Sequence, residues 1–417
     1  MGGRLKKKKA GVKKAAKKRA EKKLKTVSKE EETRLRVWMP GMPLEDDEQM
    51  EHDPSAYLMF HQYGVGWPCL SFDCVKLGIE TQVSFPIRAS IVTGTQAAET
   101  SQNEVVVLEW GKLTGSNEED DDEGEEQQPE EMQMRRAAHP DGGINRIRCG
   151  SRLTASWSES GKIHLWDHRN SQQITHVQTI SAHDSEGFAL AWNRSGDALI
   201  SGDCSAKIQL SDIAGQVSRA FDSPHNGSVE DLVWSPGEPS IFASASSDGT
   251  LALWDIRETS RRPLHHYKLH DCDINVMAWN PSVHYLLATG AEDGGFSTWD
   301  LRAVLRGQRP TSPASFDWHK QPITSIDWHP RDASVLAVSS EDHSVSLWDL
   351  AVERDEEVEK GEEEGVSFDL DENEIPEQLL FLHHQADPKE VRWCPEAEGV
   401  LFSTGSEGFH VFRTISI

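Results

Sequence analysis

The segments 162–167 (KIHLWD), 251–255 (LALWD), 296–300 (FSTWD) and 345–349 (VSLWD) repeat one pattern, in which alternating apolar side chains lead to a Trp-Asp pair. A fifth copy, 207–212 (KIQLSD), carries Ser in place of Trp. These aromatic or substituted positions lie 43 to 49 residues apart, close to the roughly 40 to 45 residues of a four-stranded propeller blade. Alternation with a period of two predicts half-buried β-strands.

Two weaker copies, 105–110 (VVVLEW) and 409–412 (FHVF), extend the series to seven. Their spacings to the neighbouring copy are 56 and 64 residues, and both excesses fall on acidic runs. Repeat proteins accept extra residues in their loops, so these runs indicate loop insertions. The sequence therefore predicts an all-β fold, a seven-bladed WD-repeat β-propeller with acidic loop insertions.

Each unit also begins with a histidine, and in WD repeats this histidine joins a strand Ser or Thr, a turn Asp and the Trp in a buried hydrogen-bond network. Two blades depart from the pattern, with Ser160 and Ser205 where Asp is usual. Because the constellation recurs in every blade, it indicates packing rather than a single hydrolase triad. The sets that look complete are His225, Asp248 and Trp254; His270, Asp293 and Trp299; and His319, Asp342 and Trp348.

The sequence also argues against several kinds of chemistry. It contains no glycine-rich phosphate loop and no HExxH motif, and its six cysteines form no CxxC pair. We therefore expect no enzymatic activity, no cofactor, no metal and no small-molecule substrate. No stretch approaches the roughly 20 consecutive apolar residues of a membrane span, so we expect no membrane partner.

A propeller must close its ring, because an open sheet edge would recruit foreign strands. The segment 68–75 (PCLSFDCV) has an isolated strand pattern, and we expect it to supply the outer strand of the last blade. The preceding segment 54–63 (PSAYLMFHQY) begins with a proline and places apolar side chains close together. It predicts a short N-terminal helix that packs on the last blade.

The formal net charge is −26, yet the N-terminus is crowded with lysines. We predict a basic disordered tail at 1–36, an acidic segment with the helix at 37–67, and a propeller at 68–417 with acidic inserts at 114–134 and 353–377. The basic tail is typical of a nuclear or nucleolar targeting signal, or of an arm that touches RNA. Its candidate targeting residues are Lys6, Lys7, Lys8, Lys9, Lys13 and Lys14.

Several segments go beyond generic WD-repeat sequence: 68–73 (PCLSFD), 142–148 (GGINRIR), 186–192 (EGFALAW), 228–236 (SVEDLVWSP) and 412–417 (FRTISI). In these the chain resembles the glutamate-rich WD-repeat proteins of ribosome assembly, relatives of the histone-binding retinoblastoma-binding WD proteins. The resemblance implies an escort that delivers a newly made, basic large-subunit ribosomal protein to pre-ribosomal particles in the nucleolus. Histone binding is also attributed to this family.

The resemblance further implies a groove for a basic amphipathic helix, between the predicted N-terminal helix and the end of the second insert. Plain packing of the helix on the blade is the alternative for its apolar residues. The expected acidic residues are Asp369, Asp371, Glu372, Glu374 and Glu377, and the expected apolar ones are Tyr57, Leu58, Phe60, Leu379 and Leu380.

Two further acidic sets are candidate contacts for the basic client. Charges at a loop face attract a polycation over long range, although exposed ion pairs contribute only about 0.2 to 1 kcal/mol each. Solvated surface charge is the alternative for both sets. The propeller face contains Glu186, Glu230, Asp231 and Asp273, and the first acidic loop contains Glu118, Glu119, Asp120, Asp121, Asp122 and Glu123.

Two other functions stay open at this point. A histone-binding chromatin factor would use the same groove, because histones also present basic helices. A substrate receptor for a ubiquitin ligase would use Arg169, Arg257 or Arg302, which follow Trp-Asp pairs, to meet an adaptor. Pairing of these arginines with a neighbouring acid is the simpler expectation. We expect a nuclear and nucleolar protein, with shuttling through the cytoplasm as an alternative.

Overall fold

The computed structural model describes residues 3–7, 36–40, 42, 48–115, 132–170, 172–306, 308–352 and 375–417. Within these residues the chain forms seven four-stranded antiparallel sheets and one three-stranded sheet. The innermost strands of successive blades are neighbours, and that of blade 7 lies beside that of blade 1. The predicted all-β, seven-bladed propeller is therefore confirmed.

Each blade has four strands, which are named from the innermost to the outermost. Blades 1 to 3 contain Ser71–Cys74, Ile87–Gly94, Glu104–Leu113 and Met132–Ala138; Ile144–Cys149, Thr154–Ser158, Ile163–Asp167 and Thr175–Ile180; and Gly187–Trp192, Ala198–Asp203, Ile208–Asp212 and Val217–Phe221. Blades 4 and 5 contain Val229–Trp234, Ile241–Ser246, Thr250–Asp255 and His265–Lys268; and Ile274–Trp279, Leu286–Ala291, Phe296–Asp300 and Thr311–Phe316. Blades 6 and 7 contain Ile323–Trp328, Val335–Ser340, Ser344–Asp349 and Leu379–His384; and Glu390–Trp393, Val400–Gly405, Gly408–Thr414 and Tyr57–Tyr63.

Blade 4 shows why a repeat with His, Ser and Trp folds into a self-contained blade. The indole Nε1 of Trp254 donates to Ser244 Oγ at 2.9 Å, and His225 Nε2 lies 2.7 Å from the same hydroxyl. Nδ1 of His225 lies 2.8 Å from Thr250 Oγ1, and Thr250 in turn donates to Asp248. The polar atoms of these two buried rings therefore find partners inside one blade, as buried polar groups must.

Blade 5 repeats the arrangement around Thr289, which accepts from Trp299 Nε1 at 2.8 Å and lies 2.7 Å from His270 Nε2. Asp293 contributes differently, by accepting from the backbone N–H of Gly295 in the following turn at 3.0 Å. The turn Asp of this blade therefore supports the turn itself.

In blade 6, the hydroxyl that binds the His and the Trp lies on the third strand and not on the second. Its second strand has Val338 at the place where blade 4 has Ser244, and the cross-strand neighbour of Val338 is Ser346. Ser346 accepts from Trp348 Nε1 at 2.7 Å and lies 2.7 Å from His319 Nε2. His319 Nδ1 also lies 2.8 Å from Asp342 Oδ2. The network of blade 6 is therefore complete, with Ser346 in the role that Ser244 has in blade 4.

Blade 3 lacks both the Trp and the usual turn Asp, yet its histidine is satisfied. His183 lies 2.8 Å from Asp203 Oδ2 and 2.7 Å from Ser201 Oγ. Asp203 stands two residues before Ser205, at the end of the second strand. An earlier carboxylate thus takes the place of the one that is missing at Ser205.

The ring closes differently from the prediction. The outer strand of blade 7 is Tyr57–Tyr63, which pairs antiparallel with Gly408–Thr414. The segment 68–75 was expected to supply this outer strand. It contains Ser71–Cys74, which is the innermost strand of blade 1. The closing strand therefore comes from the N-terminal part of the chain, as expected, but from one segment earlier.

The predicted N-terminal helix is also wrong. Pro54–Ala56 forms one short 3₁₀ turn capped by Asp53, and the chain then continues as the closing strand Tyr57–Tyr63. The sheet offers these residues backbone partners on Gly408–Thr414, which a helix would forgo. Tertiary pairing therefore overrides the local helical pattern.

The N-terminal segment crosses the outside of blades 6 and 7. Gly3–Lys7 is the central strand of a small sheet, between Arg36–Val37 and Glu48–His52, so this part of the predicted disordered tail is a strand. Trp38 is buried against Leu382, and its ring meets His384 edge-on. The segment 37–67 thus contacts the last two blades, although without the predicted helix.

Candidate functional site

The predicted groove centres on Tyr57, and the structure places this residue in the core. Its side chain is 1% exposed and packs between Phe381 of blade 6 and Phe412 of blade 7. The phenol lies 2.8 Å from His383 Nδ1. Tyr57 therefore joins two blades and does not line a groove, so the packing alternative holds for this residue.

The other apolar groove residues are half-buried near the closing strand. Phe60 and Leu380 pack on the same cluster as Tyr57, whereas Leu379 packs with Ile375 on the neighbouring cluster around Trp348. Leu58 is the extra residue of a β-bulge, because Met59 pairs with Arg413 and Tyr57 with Thr414. Phe60 and Leu380 therefore contribute apolar side chains at the junction of blades 6 and 7, whereas Leu379 lies on the other face of its strand.

The acidic side of the groove is only partly within the described residues. Glu377 is exposed and stands two residues before the outer strand of blade 6. The others lie outside the described residues, as does the first acidic loop: Asp369, Asp371, Glu372 and Glu374, and Glu118, Glu119, Asp120, Asp121, Asp122 and Glu123. Met132 and Met134, assigned by the sequence to the first insert, belong to the outer strand of blade 1.

A cluster of histidines lies under the N-terminal segment, and sequence reasoning missed it. The ring of His52 stacks on His383 with centroids 5.0 Å apart, and His383 Nε2 lies 2.9 Å from His410 Nδ1. Burial lowers the pKa of His383 well below its usual value, and burial lowers the pKa of His410 to about 3. These two histidines therefore stay neutral at pH 7 and connect blade 6 to blade 7 by a hydrogen bond.

The propeller face divides into exposed and buried acids. Glu186 and Asp273 are exposed, whereas Glu230 is half-buried, and burial raises its pKa. Asp231 is 7% exposed, and its Oδ2 accepts from the backbone N–H of Met277 in blade 5 at 2.9 Å. The carboxylate of Asp231 therefore joins two blades, and its contact with a client stays a prediction.

The same kind of contact recurs at other blade boundaries. Asp73 Oδ2 accepts from Cys149 N, and Asp327 Oδ2 accepts from Trp393 N, each at 2.8 Å. In each case a carboxylate on one innermost strand binds the backbone of the next. Acids near the axis of this ring therefore cannot be assigned to a partner from sequence position alone.

A buried ionic cluster connects blades 7, 1 and 2. Glu390 is fully buried, and its Oε1 lies 2.8 Å from Arg148 and 2.9 Å from Arg392. Its Oε2 accepts from the backbone N–H of Phe72 at 2.9 Å. Although burial opposes its charge, Arg148 and Arg392 hold the pKa of Glu390 well below its usual value.

The three arginines that follow Trp-Asp pairs have local partners. Arg169, Arg257 and Arg302 each bind the Asp two residues earlier, at 2.5 to 2.6 Å for the closest contact. Arg302 also lies over the ring of Tyr285, at 4.1 Å from its centroid. The simpler expectation of local pairing is confirmed, although these side chains remain 59% to 68% exposed.

The part of the chain that the structure describes lacks two further kinds of site. It contains no group of three or more His, Cys, Asp or Glu side chains placed to hold a metal ion. Within it, no helix has the length and hydropathy of a membrane span. The candidate targeting residues Lys8, Lys9, Lys13 and Lys14 lie outside the described part, and Lys6 and Lys7 belong to the first strand.

This architecture defines a class: a WD-repeat propeller whose last blade is completed by a strand from an N-terminal extension. The family model for histone-binding protein RBBP4 and the corresponding component of the CAF1 complex matches residues 47–114, which include that strand. The model for "WD domain, G-beta repeat" matches residues 216–255, 261–300 and 311–349.

Relatives matched over most of their length place the chain within this class. It is 40% identical to glutamate-rich WD repeat-containing protein 1 of Dictyostelium discoideum, over 91% of this chain and 85% of the relative. It is 37% identical to protein HEAT STRESS TOLERANT DWD 1 of Arabidopsis thaliana, over 92% of each chain. It is 36% identical to ribosome assembly protein rrb1 of Schizosaccharomyces pombe, over 91% of this chain and 84% of the relative. The chain belongs to the family of glutamate-rich WD-repeat and ribosome assembly proteins.

Proposed function

We propose that this protein acts in ribosome assembly as a non-enzymatic escort, which binds a newly made basic protein of the large subunit and brings it to pre-ribosomal particles. The observation that carries the proposal is the position of the longer acidic insert. Residues 353–374 contain 12 Asp or Glu and 2 Lys or Arg, and in the sequence they stand between Asp349 and the outer strand of blade 6. That strand carries Leu379 and Leu380 beside the closing strand.

Charge and apolar contact have separate tasks in this proposal. Exposed ion pairs contribute about 0.2 to 1 kcal/mol each and weaken with salt, so the insert mainly accelerates capture of a polycation. Retention requires a desolvated contact, and the half-buried Phe60 and Leu380, which pack on the same cluster, offer one. An amphipathic basic helix would satisfy both requirements.

The escort keeps its client away from RNA and DNA until delivery. A polypeptide dense in Lys and Arg binds any nucleic acid, because phosphate neutralisation is favourable and independent of sequence. An acidic insert competes for the same charges. The likeness to ribosome assembly protein rrb1 supports this setting. We place the protein in the nucleus and nucleolus, with the lysine-rich start as the targeting signal.

Affinity purification of the tagged protein from nuclease-treated extract, followed by mass spectrometry, tests the proposal. We expect one basic large-subunit protein to dominate, and the variant with Asp369, Asp371, Glu372 and Glu374 changed to Asn or Gln to recover several-fold less of it. The matched control changes Glu80, Glu99, Glu159 and Glu407, four exposed acids outside the candidate sets, in the same way. Equal recovery with all three proteins would contradict the assignment of the groove.

Histone binding is the second candidate, and the family-model match over residues 47–114 favours it. The same purification separates the two functions, because core histones would then replace the ribosomal protein as the dominant client.

A tagged protein lacking residues 1–25 tests the targeting signal, since it should lose its nucleolar signal in fluorescence images while it still binds the client.

A further inference from the structure

The outer edge of blade 4 is basic in a protein whose net charge is −26. Residues 256–270 contain four Arg or Lys and three His, against a single acidic residue, Glu258. They run from the end of the third strand of blade 4 to just beyond its outer strand, His265–Lys268. The local charge thus has the opposite sign to that of the whole protein.

Neighbouring blades add cations to this edge. Arg219 of blade 3 donates to the backbone oxygens of Ile256 and Glu258 at 2.6 and 2.8 Å. Arg309, before the outer strand of blade 5, donates to Lys268 O at 2.6 Å. We call the set Arg219, Arg261, Arg262, Lys268 and Arg309 the blade 4 edge.

None of the four guanidinium groups in this set has a carboxylate partner among the described residues. Arg261, Arg262 and Arg309 are exposed, and in the described part of blades 4 and 5 the arginine ion pairs are Arg257–Asp255 and Arg302–Asp300. Arginines kept only for surface stability would be expected to form such local pairs. The blade 4 edge therefore presents positive charge to the solvent.

Protection of a sheet edge explains only two members of this set, Arg219 and Lys268, which lie on outer strands. Charged side chains on an outer strand prevent pairing with another chain, and Lys268 serves this purpose on the strand His265–Lys268. Its Nζ is also used within the blade, where it donates to Asp248 O at 2.6 Å. Arg261, Arg262 and Arg309 stand outside the strands, so edge protection does not account for them.

Planar side chains lie among these cations. The rings of His265 and Tyr267 are nearly parallel, with centroids 5.9 Å apart, and Tyr267 Oη donates to Gln308 O at 3.2 Å. Leu264, just before them, is 43% exposed. Aromatic rings and a basic track are the two elements that sequence-tolerant single-strand binders combine.

We propose that the blade 4 edge binds the phosphate backbone of single-stranded RNA. The planar fork of arginine suits phosphate, whose oxygens can accept two parallel hydrogen bonds from one guanidinium. Because the protein as a whole is acidic and repels a polyanion, RNA would be confined to this edge of the propeller. The escort would then hold a basic protein at blades 6 and 7 and RNA on blade 4, and the RNA contact does not depend on the identity of the client.

The test measures binding of the full-length protein to a fluorescein-labelled oligouridylate of about 20 nucleotides by anisotropy. The edge variant is Arg261→Glu, Arg262→Glu and Arg309→Glu, and the matched control is Arg88→Glu, Arg152→Glu and Arg194→Glu, three exposed arginines elsewhere. We expect the edge variant to bind about tenfold more weakly than the control. The slope of log affinity against log salt should fall by about 2, because each lost phosphate contact on a single strand removes about 0.7.

Equal affinity of the two variants would overturn the proposal, provided that their melting temperatures match. The lysine-rich start also attracts RNA, so photocrosslinking with 4-thiouridine oligonucleotides gives a second measurement. We expect crosslinked peptides within 256–270, and crosslinks confined to residues 1–35 would overturn the proposal. An edge variant that loses polyglutamate but keeps the oligouridylate would assign the surface to an acidic protein instead.

Discussion

Blade 4 and blade 7 have the same four-stranded form but are held together in different ways. Blade 4 is built from one continuous segment, and His225, Ser244 and Trp254 satisfy each other within it. Blade 7 takes its outer strand from the other end of the chain and depends on Tyr57 and Glu390, which contact neighbouring blades. A repeat can therefore stabilise itself, whereas ring closure requires residues that occur only once.

The largest expected effect is at the closing strand. Tyr57→Ala removes a buried aromatic side chain, which costs about 3–5 kcal/mol. It also leaves His383 Nδ1 without its hydrogen-bond partner, which costs about 1–3 kcal/mol more. Chemical denaturation measures the loss. Tyr57→Phe should show only the second contribution, and an equal loss in the two variants would contradict the packing role of the ring.

The ionic cluster of blade 7 gives the next effect. Glu390→Ala leaves Arg148 and Arg392 buried without their shared carboxylate, and breaking a buried pair in this way costs about 3–5 kcal/mol. The control is Glu104→Ala, whose partner Arg136 is 38% exposed, and exposed pairs contribute about 0–1 kcal/mol. Similar losses in both variants, measured by denaturation, would show that the cluster does not differ from a surface pair.

Blade 4 allows a repair experiment that blade 7 does not. Ser244→Ala leaves the buried N–H of Trp254 and a nitrogen of His225 without their partner, at a cost of about 1–3 kcal/mol. Blade 6 already carries its hydroxyl across the sheet, on Ser346. The equivalent position in blade 4 is Ala252, the cross-strand neighbour of Ser244.

Ser244→Ala combined with Ala252→Ser should therefore recover most of the lost stability. Ala252→Ser alone serves as the control, since the added hydroxyl is not needed while Ser244 is present. Thermal unfolding of all three variants gives the coupling between the two positions. Purely additive losses would contradict the equivalence of the two serine positions.

The smallest effect is a pH dependence at the junction of blades 6 and 7. Burial lowers the pKa of His384 from about 6.5 in the unfolded chain to about 4 in the folded protein. Between pH 4 and pH 6.5, the unfolded chain therefore binds a proton at this residue that the folded protein does not bind. Stability should fall as the pH decreases from about 6.5 to 4. His384→Gln should reduce the slope by about 1.4 kcal/mol per pH unit, and an unchanged slope in melting experiments would contradict this.

The regular blades could be predicted from the sequence because their signals are local. The spacing of Trp166, Trp254, Trp299 and Trp348 indicated the blades, and the structure confirms their strands. The sequence did not indicate that Ser346 binds His319 and Trp348 in blade 6, because the strand pattern does not reveal which of two neighbouring strands carries the hydroxyl.

The closing strand could not be identified in the same way. Apolar residues at 57, 58 and 60 are compatible with a helix and with a strand, and Pro54 favoured the helix. The deciding interaction is the pairing with Gly408–Thr414, which depends on residues far away in the chain. Local patterns carry no information about such a partner.

The candidate site was predicted only in part. Phe60 and Leu380 pack on one cluster and Leu379 on the neighbouring one, whereas Tyr57 and Asp231 join blades. Glu390 was missed because a charged residue is expected on the surface unless its partners are known. Those partners, Arg148 and Arg392, include one from a distant part of the chain.

The order of the closing strands along the chain has a consequence for biosynthesis. Tyr57–Tyr63 is translated before the strands of blades 1 to 6, but its partner Gly408–Thr414 is translated after them. Six blades can therefore form while the edge of the early strand is still unpaired, and the ring closes only after Gly408–Thr414 has left the ribosome. A stalled or truncated nascent chain would carry an open, adhesive edge that quality-control factors can recognise.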